Sequence, residues 1–171
     1  MPITRLNHAV LYVRNAERSA EFYGDVLGFR PVMTLPGAVF LQADASTNDH
    51  DLGLFTIGDG AGPSPAGRTA VGLYHLAWEV DTLAELQRIA ARLTDAGALV
   101  GASDHGSTKA LYARDVDGIE FEVSWLVPAD HLDADGDAAK ATIKPLDLAA
   151  EIERYGASTR GGVGVSSPAT A

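Results

Sequence analysis

Two stretches of the chain begin alike. His8 sits at the head of NHAVLYV (7–13) and His75 at the head of YHLAWEV (74–80), each followed by an alternating apolar run that ends at a valine. A third stretch, ALYARDVDGIEFEVSW, carries the alternation Ile119-Glu120-Phe121-Glu122-Val123. In a strand that spacing puts both carboxylates on one face and the apolar residues on the other. A lone histidine on an apolar strand is more often a core residue than a ligand, and carboxylates on an edge strand commonly face solvent. Two histidines at equivalent places in a repeat are harder to dismiss. Two imidazoles and one carboxylate form the facial ligand set of non-haem Fe(II), which leaves three positions open for a bidentate substrate and dioxygen. His8, His75 and Glu122 are therefore the candidate metal ligands.

Composition narrows the chemistry further. With no cysteine among 171 residues, disulfides, thiolate nucleophiles and zinc–thiolate sites drop out, and a metal must be held by nitrogen and oxygen. A net charge of −10 repels phosphate backbones, so no nucleic-acid partner is expected. No apolar run is long enough to span a bilayer, so no membrane partner is expected either. The opening MPITRLNHAV lacks a charged-then-apolar signal pattern, and a cytoplasmic protein is expected.

Positioning these residues falls to two units written in the same order. In the first, the strand from His8 to Val13 is followed by Asn15, a helix N-cap, and by a helix from Ala16 to Leu27 with Gly28 at its C′ position. Three strand-like runs follow: PVMTL, AVFLQA and LGLFTI. In the second unit, the strand Tyr74–Val80 leads to the capping box Thr82-Leu83-Ala84-Glu85, and Leu83, Leu86, Ile89 and Leu93 recur at helical spacing. ALVGA, KALYAR and IEFEVSW are its strands, the last two joined through an Asp117-Gly118 turn. Each unit reads βαβββ: repeat one over 4–57, a Gly/Pro/Ser-rich linker over 58–70, and repeat two over 71–127. The expected fold is α+β, with two βαβββ repeats pairing into one curved mixed sheet around a metal and ligand cavity, helices outside. Tyr12, Phe40 and Trp78 are candidates for the cavity face. Periodicity stops at Pro128, and residues 128–171, with one short helix around 146–155, read as an arm that packs on a neighbour or moves freely.

The paired units, their opening histidines and DHGSTKALYARDVDGIEFEV together resemble the vicinal oxygen chelate superfamily of glyoxalase I, bleomycin-resistance proteins and extradiol dioxygenases, over residues 4–127. Within it the chain looks most like small catechol-2,3-dioxygenase-like members of the type I extradiol class. That resemblance implies a histidine at the start of each unit and a glutamate in the last strand, matched by His8, His75 and Glu122. It implies a tyrosine before the glutamate, matched by Tyr112, and a histidine in an Asp-His-Gly context, matched by His105. A further histidine, at the start of the last strand of the first unit, is matched by His50. A register one residue out would place Asp51 on that face instead, near where glyoxalase I supplies a fourth, acidic ligand.

The implied cofactor is Fe(II), with Mn(II), Ni(II) or Zn(II) as alternatives, and the implied partners are a small aromatic diol, dioxygen and a second copy in a homodimer. Tyr112, His105 and His50 would be the catalytic residues. The imidazoles would carry protons and the phenol would hydrogen-bond a substrate oxygen. Two other function classes share the fold: a different metal-dependent enzyme, either a glyoxalase-like isomerase or an antibiotic-modifying thiol transferase, and a metal-free drug-binding resistance protein.

Overall fold

The computed structural model describes residues 3, 5–67, 69–132 and 142–162. The elements run β1 (Ala9–Val13), α1 (Ala16–Leu27), β2 (Arg30–Leu35), β3 (Ala38–Gln42), β4 (Leu52–Thr56), β5 (Leu76–Glu79), α2 (Leu83–Asp95), β6 (Leu99–Asp104), β7 (Thr108–Arg114), β8 (Glu120–Leu126), β9 (Lys144–Pro145) and α3 (Leu148–Tyr155). This is an α+β fold with the βαβββ order written twice. The strands hydrogen-bond as two mixed sheets, ordered β1-β4-β3-β2 and β5-β8-β7-β6-β9, where a single curved sheet was expected. Each ladder is completed within its own repeat: the helix carries the chain across, so that the first strand lies parallel to the last, and the remaining pairs are antiparallel.

Local chemistry sets the helix ends where the sequence places them. Asn15 accepts a hydrogen bond from the Arg18 amide at 2.7 Å, and Gly28 closes α1 at φ 78°. Such a left-handed C′ residue favours glycine, which has no Cβ to clash. Thr82 accepts from the Glu85 amide at 3.3 Å to start α2.

The chain divides into two compact units. The first comprises the described residues of 1–65 together with the turn 115–119. In it α1 covers one sheet face, burying Leu11, Val13, Leu41, Leu52 and Leu54 against Tyr23 and Val26. The turn 115–119 is fastened to this unit by polar contacts. The Tyr23 hydroxyl donates to Asp115 Oδ2 at 3.0 Å, and Arg14 donates to Asp117 from its backbone amide (2.8 Å) and from Nη1 (2.9 Å). The second unit holds the described residues of 66–114 and from 120 onward. Its core sets Leu83, Leu86, Ile89 and Leu93 of α2 with Leu111, Val123 and Trp125 of the sheet, all buried.

The described part of the C-terminal stretch packs on the second unit. β9 adds to the free edge of β6, pairing Ser103 with Pro145 and Asp104 with Lys144. α3, capped by Asp147, lays the buried Tyr155 ring 5.5 Å from that of Trp125, whose Nε1 donates to the Thr159 carbonyl at 3.3 Å. A large apolar strand residue at the end of β8 needed a cover, and the helix supplies it. The rest of that stretch, 133–141 and 163–171, lies outside the described residues. Among the described residues no helix is long and apolar enough to cross a membrane.

Candidate functional site

In the second unit four of the chemistry-bearing residues form a connected row. His75 precedes β5 by one residue, and the parallel register sets Ala77 beside Glu122. His75 Nε2 thereby lies 3.2 Å from Glu122 Oε2, both side chains largely withdrawn from solvent. Tyr112 on β7 is the direct antiparallel partner of Glu122. Its hydroxyl lies near the Glu122 carboxylate, and burial first, then that carboxylate, push its pKa up to about 12. Tyr112 thus stays a protonated donor throughout the neutral range. On its other side the hydroxyl is 3.0 Å from His105 Nε2, and the ring lies 5.9 Å from that of His75. The row His105–Tyr112–Glu122–His75 thus gathers two imidazoles, a phenol and a carboxylate on one face, with direct contacts at its two ends.

In the first unit His8 precedes β1 just as His75 precedes β5. The His8 and His50 rings stack at 4.4 Å, tilted by 39°. His8 Nδ1 is 2.7 Å from Asn7 Oδ1, and His50 Nδ1 is 3.1 Å from Asp49. Asp51 does other work. Its carboxylate accepts from the Ala43 amide (2.8 Å), Ser46 Oγ (2.7 Å) and Asn48 Nδ2 (2.7 Å). That network closes the 43–51 loop and leaves His50, not Asp51, against His8.

The registers also show what the two repeats do not share. Val10 pairs with Gly53 and Gly53 with Phe40, where repeat two has Ala77, Glu122 and Tyr112. Repeat one therefore holds glycine and phenylalanine in place of the carboxylate and the phenol. A Cβ at Gly53 would stand 3.5 Å from the Phe40 ring and from Val10. Phe40 meets His50 edge-on at 5.1 Å. Tyr12 lies on the sheet face away from α1 and is 73% exposed, whereas Trp78 does not fit the expectation for it. Its register partner is the buried Val123, which puts Trp78 on the helix side of the sheet, opposite His75 and Glu122. The alternation that marks β5 as a strand leaves open which parity faces the helix.

Among the described residues no three histidine, aspartate or glutamate side chains converge as a ready-made metal cluster. The His75–Glu122 pair nevertheless suits a metal. Two cis ligands bonded at about 2.0–2.2 Å stand roughly 3 Å apart, close to the observed 3.2 Å. His75 Nδ1 is buried with no hydrogen-bond partner among the described residues, so Nε2 is the nitrogen aimed at the carboxylate.

The fold is a duplicated βαβββ unit, with an imidazole, a carboxylate and a phenol gathered on one sheet face of the second copy. The chain belongs to the Glyoxalase/Bleomycin resistance protein/Dioxygenase superfamily, whose family model matches residues 5–123. It is 33% identical over 120 residues to catechol-2,3-dioxygenase of Bacillus subtilis (strain 168), covering 70% of this chain and 41% of that protein. It is 35% identical over 120 residues to biphenyl-2,3-diol 1,2-dioxygenase 3 of Rhodococcus globerulus, covering 70% of this chain and 62% of that one. The chain thus spans less than two thirds of either relative. Among solved structures, the glyoxylase/bleomycin resistance protein/dioxygenase domain from Frankia sp. EAN1pec shares the fold, with a TM-score of 0.62 at 23% identity, covering 77% of this chain and 98% of that one.

Proposed function

We propose that this chain is a metal-dependent extradiol dioxygenase, which opens a catechol-type aromatic ring beside its two hydroxyls with dioxygen as co-substrate. The observation that carries this reading is the row His105–Tyr112–Glu122–His75, in which an imidazole and a carboxylate that could hold a metal stand next to a protonated phenol and a second imidazole. The names of the two dioxygenase relatives support the reaction class.

His75 and Glu122 would hold the metal, with His8 as the third ligand on the strength of its repeat-equivalent position. Fe(II) is the first choice, and Mn(II), Ni(II) or Zn(II) are the alternatives. When bound, such an ion supplies Lewis acidity that eases ionisation of a catechol hydroxyl. His105 takes a proton from the substrate side or returns one through the Tyr112 hydroxyl, and Tyr112 donates a hydrogen bond to a substrate oxygen as charge develops there. His50 is the second proton carrier, held by Phe40 and Asp49. Residues 1–127 as one catalytic domain, a homodimer and a cytoplasmic location belong to the same proposal.

The test is anaerobic reconstitution with Fe(II), then air and a panel of catechols. The expected result is a yellow ring-cleavage product and about one metal ion per chain. Nickel-dependent turnover of hemithioacetals with no ring cleavage would move the chain to the isomerase class. A protein that takes up no metal, yet binds aromatic compounds, would be a drug-binding module.

A further inference from the structure

The turn that carries His105 is held by groups that take no part in the row just described. Asp104 Oδ1 accepts from the Gly106 amide at 2.8 Å and from Lys109 Nζ at 2.5 Å, bracketing His105 between them. The turn is otherwise pinned by its own backbone, with the His105 amide donating to Thr108 O at 2.9 Å. Lys109 is the unusual member: a lysine only 1% exposed, on the sheet face that packs against the helices. A buried ammonium is costly unless it is paired and hydrogen-bonded. Its second counter-charge comes from the C-terminal stretch, where Glu151 Oε2 of α3 lies 3.0 Å from Nζ as an ion pair. The Tyr155 ring stands 5.8 Å from the same ammonium. The Asp104 backbone is also paired with Lys144 of β9.

We infer that Glu151, acting through Lys109 and Asp104, is a positioning residue for His105, so that the C-terminal helix sets the proton-carrying end of the site from the opposite side of the sheet. The catalytic side of this inference rests on the dioxygenase reading; the positioning itself does not. With both carboxylates present, the ammonium is shared and Asp104 keeps one oxygen on the Gly106 amide. With Glu151 neutral, Asp104 is left as the sole counter-charge of a buried cation. The turn must then re-form around that pair, and the His105 ring moves relative to the Tyr112 hydroxyl.

The experiment uses the full chain. Glu151→Gln keeps the size of the side chain and removes its charge. Its readouts are the His105 side-chain nitrogen signals by NMR in metal-free protein, Trp125 fluorescence as a report on α3 docking, and steady-state kinetics. The expected result is a displaced His105 signal with unchanged fluorescence, and a kcat lower by roughly 3–30-fold with KM nearly constant, the pattern of a slightly misplaced reacting group. Glu151→Asp, which restores the charge, should bring the signal back towards its original position. The double variant Lys109→Met with Glu151→Leu removes both buried charges and keeps apolar volume. It should fold even where a lone unpaired lysine does not, and should displace the same signal. A His105 signal unmoved in either folded variant overturns the inference, and so does a displaced signal with kcat at the original level. If the unaltered chain turns over no catechol, the dioxygenase reading falls, while the NMR signal still decides the positioning.

Discussion

Tyr112 and Phe40 hold the same register position in the two repeats, one opposite Glu122 and the other opposite Gly53. Phenylalanine is thus already accommodated at that place in one copy of the unit. Tyr112→Phe should leave folding and metal content intact and lower kcat by about 10–1000-fold, the range for losing one positioned donor or proton shuttle. Glu122→Ala should instead empty the site, because it leaves neutral imidazoles with no compensating charge. Metal analysis beside turnover separates the two, and metal retained by the alanine variant would remove Glu122 from the ligand set. A different residue contributes to the pH dependence of stability. Burial holds the Asp115 carboxyl above its ordinary value of 3.8. The folded chain therefore binds that proton more tightly than the unfolded chain, and stability from this group is lost as pH rises from 3.8 through its raised folded value. In Asp115→Asn the side-chain oxygen can still accept from the Asp117 and Ile119 amides, and its NH₂ can donate to Tyr23. The variant should gain in melting temperature relative to the parent as pH climbs through that window. A flat difference between the two curves would show that Asp115 is not strained by its charge.

At the scale of elements, the described part of the C-terminal stretch is bound to the second unit at several points. β9 caps an edge that would otherwise expose unpaired backbone groups, and α3 covers Trp125 and neutralises Lys109. The chain then runs so close to β8 that a Cβ on Gly161 would stand 2.0 Å from the Leu126 carbonyl oxygen and 2.6 Å from Trp125 Nε1. Backbone cannot give way as a side-chain tip can. Gly161→Ala should cost about 1–3 kcal/mol, in the range of overpacked sites, and redden Trp125 emission as the segment lifts. An alanine variant that melts with the parent would mean this segment contributes little to stability. Cutting the chain after Val127 should destabilise the second unit more severely, since it removes the Tyr155 cover and the Glu151 charge together.

For the molecule as a whole, the proposed ion couples site and stability. Anything that binds the folded chain and not the unfolded one raises stability with its concentration, by about 2.7 kcal/mol at a hundred times the dissociation constant. Stoichiometric Fe(II) or Mn(II) under anaerobic conditions should raise the melting temperature, a chelator should reverse the gain, and Glu122→Ala should show none of it. No shift in the parent protein with saturating metal would count against any site in which the folded chain organises the ligands.

The sequence by itself determined the repeat. Its two helices, their caps at Asn15 and Thr82, and the order βαβββ follow from local periodicity and capping, which act over a few residues and need no distant partner. It also marked His75, Glu122, Tyr112 and His105, because strand alternation puts Glu122 on one parity and the family resemblance supplies the others. Only the tertiary structure decided which residues share a face across strands. Register put Tyr112 against Glu122 and Phe40 over Gly53, turned Trp78 to the helix side, and committed Asp51 to its loop. It also placed Glu151 beside a lysine 42 positions earlier in the chain. Pairings of that kind depend on side chains brought together by the ladder and the helix packing, and no short-range pattern in the sequence encodes them.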